Sequence, residues 1–358
     1  MSLLSNYVIH TVTEERHPIL DSTTCLNRRQ KRKPCTVCKD VCPEEVFLQQ
    51  QGSSPRFEAC TGCNLCVSAC PGRCLTPSAA TLKSWLTGYD NTDIVRIGCT
   101  GCNKKIKLEE YCIASIPWEF LAYLALVKRL WLYLPCESCE DSVARRLLDE
   151  HLENLRHFLG EKRFAARVTL IRSAADEPEE EQEILGRKEL MTRMTSAVKK
   201  QAFSIIGNVD ASDMNGLFFR RLLRDLVQEL YQKEKANGRR TAFEVKLPHF
   251  TASCYACQSC LRLCPQEAVS FGELTDGKRG IYIEPWKCTS CEVCQVVCRE
   301  GAIDGFPFMK VPHLSRLLVT RVNAKVCAKC GMALKPDSAD DLCTFCKSRE
   351  RIKPYMKT

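Results

Sequence analysis

Cys254-Tyr255-Ala256-Cys257-Gln258-Ser259-Cys260-Leu261-Arg262-Leu263-Cys264-Pro265, followed by Cys288-Thr289-Ser290-Cys291-Glu292-Val293-Cys294-Gln295-Val296-Val297-Cys298, decides how this chain is read. In each half three cysteines stand three residues apart and a fourth follows four later. Three thiolates so close together suit one corner of a cubane of iron and sulfide, and the fourth reaches across to a second cubane. The expected ligand sets are Cys254, Cys257, Cys260 with Cys298, and Cys288, Cys291, Cys294 with Cys264. Zinc is the competing ion, but zinc knuckles contribute two cysteines each rather than three within seven residues. Two 4Fe–4S clusters are the expectation.

This spacing resembles that of the bacterial dicluster ferredoxins, and the resemblance defines a module over 241–308. Twenty-three residues separate Cys264 from Cys288, more than a minimal ferredoxin needs. Glu267 to Phe271 and Gly280 to Ile283 flank Thr275-Asp276-Gly277, a hairpin signal. Ala302-Ile303 after Cys298 repeats Ala268-Val269 after Cys264, the pseudo-twofold of such a module. Arg299 departs from the usual proline and removes no ligand.

Residues 20–80 form an imperfect copy. Cys60, Cys63, Cys66 and Cys70-Pro71 complete one motif; Cys35, Cys38 and Cys42-Pro43 form the other, with Arg32 where its first cysteine should stand. By the same logic Cys60, Cys63, Cys66 and Cys42 hold one 4Fe–4S cluster. Cys35, Cys38 and Cys70 need a fourth ligand. Cys25, ten residues before Cys35, is the preferred donor by chain reach; Cys74 is the alternative, and a three-iron cluster the third option.

Between the copies lies a different pattern. Over 81–175, short apolar strands at Asp93–Gly98, Leu130–Leu134 and Arg167–Ile171 alternate with helical stretches at Trp118–Lys128 and Ser142–Leu159. That order predicts a small parallel α/β sheet, whose ligands collect beyond the carboxyl ends of the strands. Cys99, Cys102, Cys112, Cys136 and Cys139 all fall there. A 2Fe–2S cluster on Cys99, Cys112, Cys136 and Cys139, with Cys102 as substitute, is expected ahead of zinc and ahead of buried free thiols. Gly98-Cys99, Cys112 near Ile116-Pro117, and Leu132-Tyr133-Leu134-Pro135-Cys136-Glu137-Ser138-Cys139 before a long helix resemble the hydrogenase iron–sulfur (delta) subunit domain. The resemblance covers about 80 residues and implies electron relay to a flavoprotein, hydrogenase, dehydrogenase or heterodisulfide-reductase-like partner, in an anaerobic metabolism. Trp118-Glu119 and the extra Cys102 depart from it.

Residues 176–240 hold no cysteine and read as a helical spacer, with a helix from Met214 to Glu234 stopped by Asn237-Gly238. At 320–350, Cys327-x-x-Cys330 and Cys343-x-x-Cys346 resemble a zinc ribbon; a rubredoxin-like iron site is the alternative. The predicted fold is therefore α+β and multidomain: two dicluster ferredoxin-like modules, a central parallel α/β sheet, a helical spacer and a C-terminal four-cysteine ribbon.

Composition agrees. Of 358 residues, 26 are cysteine. The N-terminus Met1-Ser-Leu-Leu-Ser-Asn-Tyr7 lacks the profile of a secretory signal, so clustered cysteines point to metal in a reducing cytoplasm rather than to disulfides. The longest apolar run, Pro117 to Pro135, carries Glu119, Lys128 and Arg129 and does not suit membrane insertion. The net charge of +9 is densest at Arg28-Arg29-Gln30-Lys31-Arg32-Lys33. That run is read as offsetting cluster charge or docking a partner, ahead of nucleic-acid binding. No histidine lies in a nucleophile signature and no glycine-rich nucleotide fingerprint follows a strand, so no catalytic residue is expected. The leading function is single-electron relay between a soluble donor, such as a ferredoxin, and an oxidoreductase. A metal-binding scaffold or regulator, and a thiol/disulfide centre at Cys136 and Cys139, are the alternatives.

Overall fold

The computed structural model describes residues 17–30, 32–47, 55–87, 93–99, 112–134, 142–178, 215–237, 241–275, 278–322, 325–335 and 337–352. It is a mixed α/β structure built from small sheets. At the start, β1 (Ile19–Leu20) pairs antiparallel with β2 (Leu75–Thr76), Ile19 facing Thr76. Between them run three one-turn helices, α1 (Leu26–Arg29), α2 (Val37–Asp40) and α3 (Leu65–Ala69). Cysteine loops on either side keep them short. α4 (Ala79–Thr87) then buries Leu82, Trp85 and Leu86 in the main core.

The sheet expected in the middle of the chain is present. β3 (Ile94–Ile97), β4 (Arg129–Tyr133) and β5 (Val168–Ile171) are parallel, in that order, with Val95 facing Leu130 and Leu132 facing Leu170. Strand alternation splits the side chains. Val95, Ile97, Leu130, Leu132 and Val168 join the main core, while Ile94, Trp131, Tyr133 and Ile171 form a second cluster on the other face. The crossovers are helical. α5 (Trp118–Val127) is buried from Glu119 to Val127, as a helix apolar all round must be. α6 (Val143–Leu159) is amphipathic and capped by Ser142, whose Oγ accepts the Arg145 N–H at 3.1 Å; α7 (Glu161–Arg167) follows.

α8 (Phe218–Ala236) starts four residues later than the sequence suggests, and its apolar stripe faces the main core. Phe218, Phe219, Leu222, Leu223, Leu226 and Val227 are buried in the main core, with Phe219 4.8 Å from Phe120 of α5 and 5.9 Å from Trp85 of α4 between ring centroids. Its apolar stripe was legible; that the stripe packs on distant elements was not, because a stripe does not name its partner.

The rest of the chain carries β6 (Phe243–Lys246), β7 (His249–Phe250), α9 (Ser259–Leu263), β8 (Val269–Glu273), β9 (Arg279–Ile283), α10 (Val293–Val297), β10 (Ile303–Gly305), β11 (Phe308–Val311) and β12 (Leu317–Val322). β6 pairs with β11, β7 with β10, and β8, β9 and β12 form an antiparallel sheet containing the expected hairpin. α6 packs on β6, with Phe158 4.9 Å from Phe243 and His157 stacked on Phe308 at 3.6 Å. β13 (Lys325–Val326), β14 (Ala333–Leu334) and α11 (Thr344–Ile352) frame the final four cysteines. Among the described residues no helix is long and apolar enough to cross a membrane.

Candidate metal centres

Left-handed backbone is the signature of the cysteine loops. L-residues avoid positive φ at a cost of about 1–2 kcal/mol each. Among the described residues the non-glycine positions that adopt it are Glu45, Asn64, Arg73, Ala256, Gln258, Glu267, Ser290 and Glu292. Every one belongs to a cysteine motif. Ala256 and Gln258 flank Cys257, Ser290 and Glu292 flank Cys291, and Gly62 and Asn64 flank Cys63. Glu45, Arg73, Glu267 and Gly301 each stand three residues after the fourth cysteine of a motif. Alternating right- and left-handed residues turn successive N–H groups toward one concavity, the arrangement that binds anions and many iron–sulfur clusters. The N–H of Ala268 donates to Cys264 Sγ at 3.3 Å, that of Ala302 to Cys298 Sγ at 3.3 Å, and that of Cys74 to Cys70 Sγ at 3.4 Å.

The thiols of these loops lie close enough to act on one another. Burial pushes the Cys260 thiol up to about 12, with the charges of Cys254, Cys257 and Cys298 adding to it. Cys288 is also held at about 12, by burial first and then by Cys291 and Cys264, against the pull of Arg220. Burial raises Cys66, and Cys63, Cys42, Cys60 and Cys38 reinforce it. Cys38 rises to about 12 through burial, Cys70, Cys35 and Cys25. Four thiolates facing one another in a desolvated space repel; a cationic iron core relieves that repulsion, so the donor set fits the group.

Both candidates for the fourth ligand lie at the remaining group: Cys74 Sγ is 3.4 Å from Cys70 Sγ and also meets Cys25. The β1–β2 pair matches β7–β10: the Asp21 N–H donates to Cys74 O at 2.7 Å just before Cys25, as the Thr251 N–H donates to Ala302 O at 3.0 Å just before Cys254. By that register Cys25 stands one residue beyond the position of Cys254, and Cys74 stands where Ala302 stands. Asn27 fastens the excursion, its Nδ2 donating to Cys35 O at 2.8 Å and its Oδ1 accepting the Cys35 N–H at 2.7 Å. Hydrogen bonding among the Cys74, Cys25 and Cys70 sulfurs lowers Cys25 and Cys70 to about 6 and pushes Cys74 up. One loop breaks the pattern: Thr36, Val37 and Lys39 are helical or near it where the other motifs wind left-handed. β-branched Val37 resists positive φ.

Residues 253–302 match the family model of the 4Fe-4S dicluster domain. Iron–sulfur electron transfer is the chemistry this type of domain suggests, and the other cysteine-rich loops fit iron–sulfur binding. No curated protein and no solved structure matches the chain.

Beyond the dicluster domain, Cys327, Cys330, Cys343 and Cys346 have all four sulfurs within 4.8 Å of one another, with Cys330 and Cys343 3.6 Å apart. Tetrahedral bonds of about 2.3 Å place sulfurs about 3.8 Å apart, so the quartet suits one ion. The Cys343 N–H donates to Cys327 Sγ at 3.3 Å and Gly331 takes φ 66° to close the first knuckle. In the central region Cys99 lies just past β3 and Cys112 precedes a 3-10 turn, Ile113–Ser115, whose Ile113 N–H donates to Cys99 Sγ at 3.5 Å. Cys102, Cys136 and Cys139 lie outside the described residues.

Sequence reasoning missed the buried ion pairs between the modules. Glu119 Oε1 on α5 accepts from Arg73 at 2.7 Å and from Arg220 at 2.5 Å; Arg220 also donates to the carbonyls of Pro285, Trp286 and Cys288 at 3.0, 2.8 and 2.6 Å. Burial alone would raise the Glu119 carboxyl, but Arg73 and Arg220 hold it below its usual value. A lone glutamate inside an otherwise apolar helix was the available signal.

Proposed function

We propose that the chain is a cytoplasmic iron–sulfur electron carrier that takes electrons singly from a soluble donor and delivers them to a partner oxidoreductase. A cubane supplies reversible one-electron storage. The ligand sets are Cys254, Cys257, Cys260 and Cys298; Cys264, Cys288, Cys291 and Cys294; Cys42, Cys60, Cys63 and Cys66; and Cys25, Cys35, Cys38 and Cys70. What carries this reading is that, among the described residues, left-handed non-glycine backbone is confined to the cysteine loops, three of which repeat one conformation. Backbone N–H groups aimed at ligand sulfurs favour the added electron, and burial opposes it, so the chain sets the potential of each site.

Zinc is proposed for the final quartet, as a fold clip. A 2Fe–2S cluster on Cys99, Cys112, Cys136 and Cys139 is supported by the hydrogen bond from the Ile113 N–H, next to Cys112, to Cys99 Sγ and by the position of Cys99 past a strand end. The resemblance to the hydrogenase delta subunit supports a flavoprotein, hydrogenase or dehydrogenase as partner. An anaerobic redox titration followed by EPR tests the carrier role. Reversible one-electron signals from several low-potential clusters are expected; protein that binds zinc throughout and shows no redox-active signal contradicts it.

A further inference from the structure

The two modules touch through the excursion that replaces the missing cysteine. Leu26 of α1 is buried against Val293 and Val297 of α10, and both Cys35 and Cys291 pack against that cluster. Arg32, standing where the first cysteine of its motif would stand, donates to the Val296 carbonyl at 3.4 Å. Lys33 pairs with Glu292, beside Cys291, at 3.4 Å. Gln266 Nε2, two residues after Cys264, donates to Gly72 O at 2.6 Å, two residues after Cys70. From the other side Arg73 reaches Glu119, which reaches Arg220 and so the carbonyl of Cys288.

Each of these contacts joins the Cys25/Cys35/Cys38/Cys70 site to the Cys264/Cys288/Cys291/Cys294 site. Val296 and Val297 also adjoin Cys298 of the Cys254/Cys257/Cys260/Cys298 site. Within each module neighbouring groups also meet, since α2 packs on α3 and α9 packs on α10. Building on the proposed cluster sites, we infer that the four sites form one continuous electron path inside this chain. Its order is Cys42/Cys60/Cys63/Cys66, then Cys25/Cys35/Cys38/Cys70, then Cys264/Cys288/Cys291/Cys294, then Cys254/Cys257/Cys260/Cys298. The segment from Cys25 to Cys35 is the coupling between the two inner sites, and Arg32 is a docking residue in the place of a ligand. With clusters held by these cysteines, each site would pass a single electron to its neighbour, one oxidised as the next is reduced, with no bond made or broken. The basic run is thereby assigned in part to this internal seam.

The ends of the path differ. At the first, Ser68 of α3 donates to Ala114 O at 2.7 Å, joining the outer site to the turn after Cys112. At the second, Lys335 of the ribbon pairs with Glu300 at 2.9 Å and Arg279 donates to Gly331 O at 2.7 Å.

EPR of the dithionite-reduced full chain tests the order. The double variant Cys63→Ala/Cys257→Ala empties both outer sites, and the remaining pair is expected to show signals broadened by mutual spin interaction. Cys35→Ala/Cys291→Ala empties both inner sites and is expected to show narrow, isolated signals. Narrow signals in the first variant, or broadened signals in the second, overturn the inference. Iron content measured on the same samples separates this from failure of the cluster reading itself, which would show as little iron in the unsubstituted chain. Should a double variant not fold, Cys63→Ala alone serves. A continuous path leaves no isolated component among its three clusters, whereas separate modules leave about one third of the spins isolated.

Discussion

In the 241–308 module both cysteine loops wind left-handed beside their second cysteine; in the 20–80 module one loop does and the other is helical. The spacing of three cysteines is sufficient to impose the first conformation, even on Gln258, Glu292 and Asn64. Where only Cys35 and Cys38 remain, Val37 stays helical, and the fourth sulfur proposed for that site, Cys25, lies ten residues upstream. The chain released from that ligand position forms α1 and the seam with α10. Loss of a regular motif on one side thus accompanies gain of an interface on the other, and the comparison teaches that ligand spacing governs the loop while the interface is set by what the spacing leaves free.

Substituting the displaced ligand strains the comparison most. Cys25→Ala is expected to lose up to about a quarter of the chain's iron, and Cys74→Ala to retain it, by the four-cluster ligand count; equal losses, read by metal analysis, would move the fourth ligand to Cys74. Glu119→Ala is expected to lower stability by about 3–5 kcal/mol, because it leaves Arg73 and Arg220 buried without their shared partner. Denaturant midpoints of the holoprotein measure this.

His151 on α6 is buried, and burial lowers its pKa to about 4 from 6.5. Below pH 6.5 the unfolded chain takes up a proton that the folded chain refuses until about pH 4, so stability falls as pH drops through that window. From pH 7 to pH 5 the loss due to this group is on the order of 2 kcal/mol. His151→Leu should flatten that slope. The smallest effect distinguishes the two kinds of loop: Ala256→Gly relieves positive φ and is expected to stabilise by about 1 kcal/mol. Val37→Gly, at a helical position, should destabilise by roughly 0.5–1 kcal/mol.

Local periodicity and spacing made much of this molecule legible. The parallel strands at 94–97, 129–133 and 168–171 follow from apolar runs of strand length, and the 269–283 hairpin from its turn residues. The 4Fe-4S dicluster domain at 253–302 follows from cysteine spacing alone. The hidden features are long-range. Nothing in α8's stripe says that it packs on α5, and nothing beside Arg32 names Val296, 264 residues away. Glu119 was visible as a charge in an apolar run, but its partners come from 46 residues upstream and 101 downstream.

Iron and acid-labile sulfide per chain, measured after anaerobic purification, test the central claim most directly. Four cubane sites predict about sixteen irons with matching sulfide, apart from any held by the central cysteines. About eight irons, all lost on substituting ligands within 254–298 and none on substituting Cys38 or Cys63, would show that the first module holds no cluster and would contradict the account.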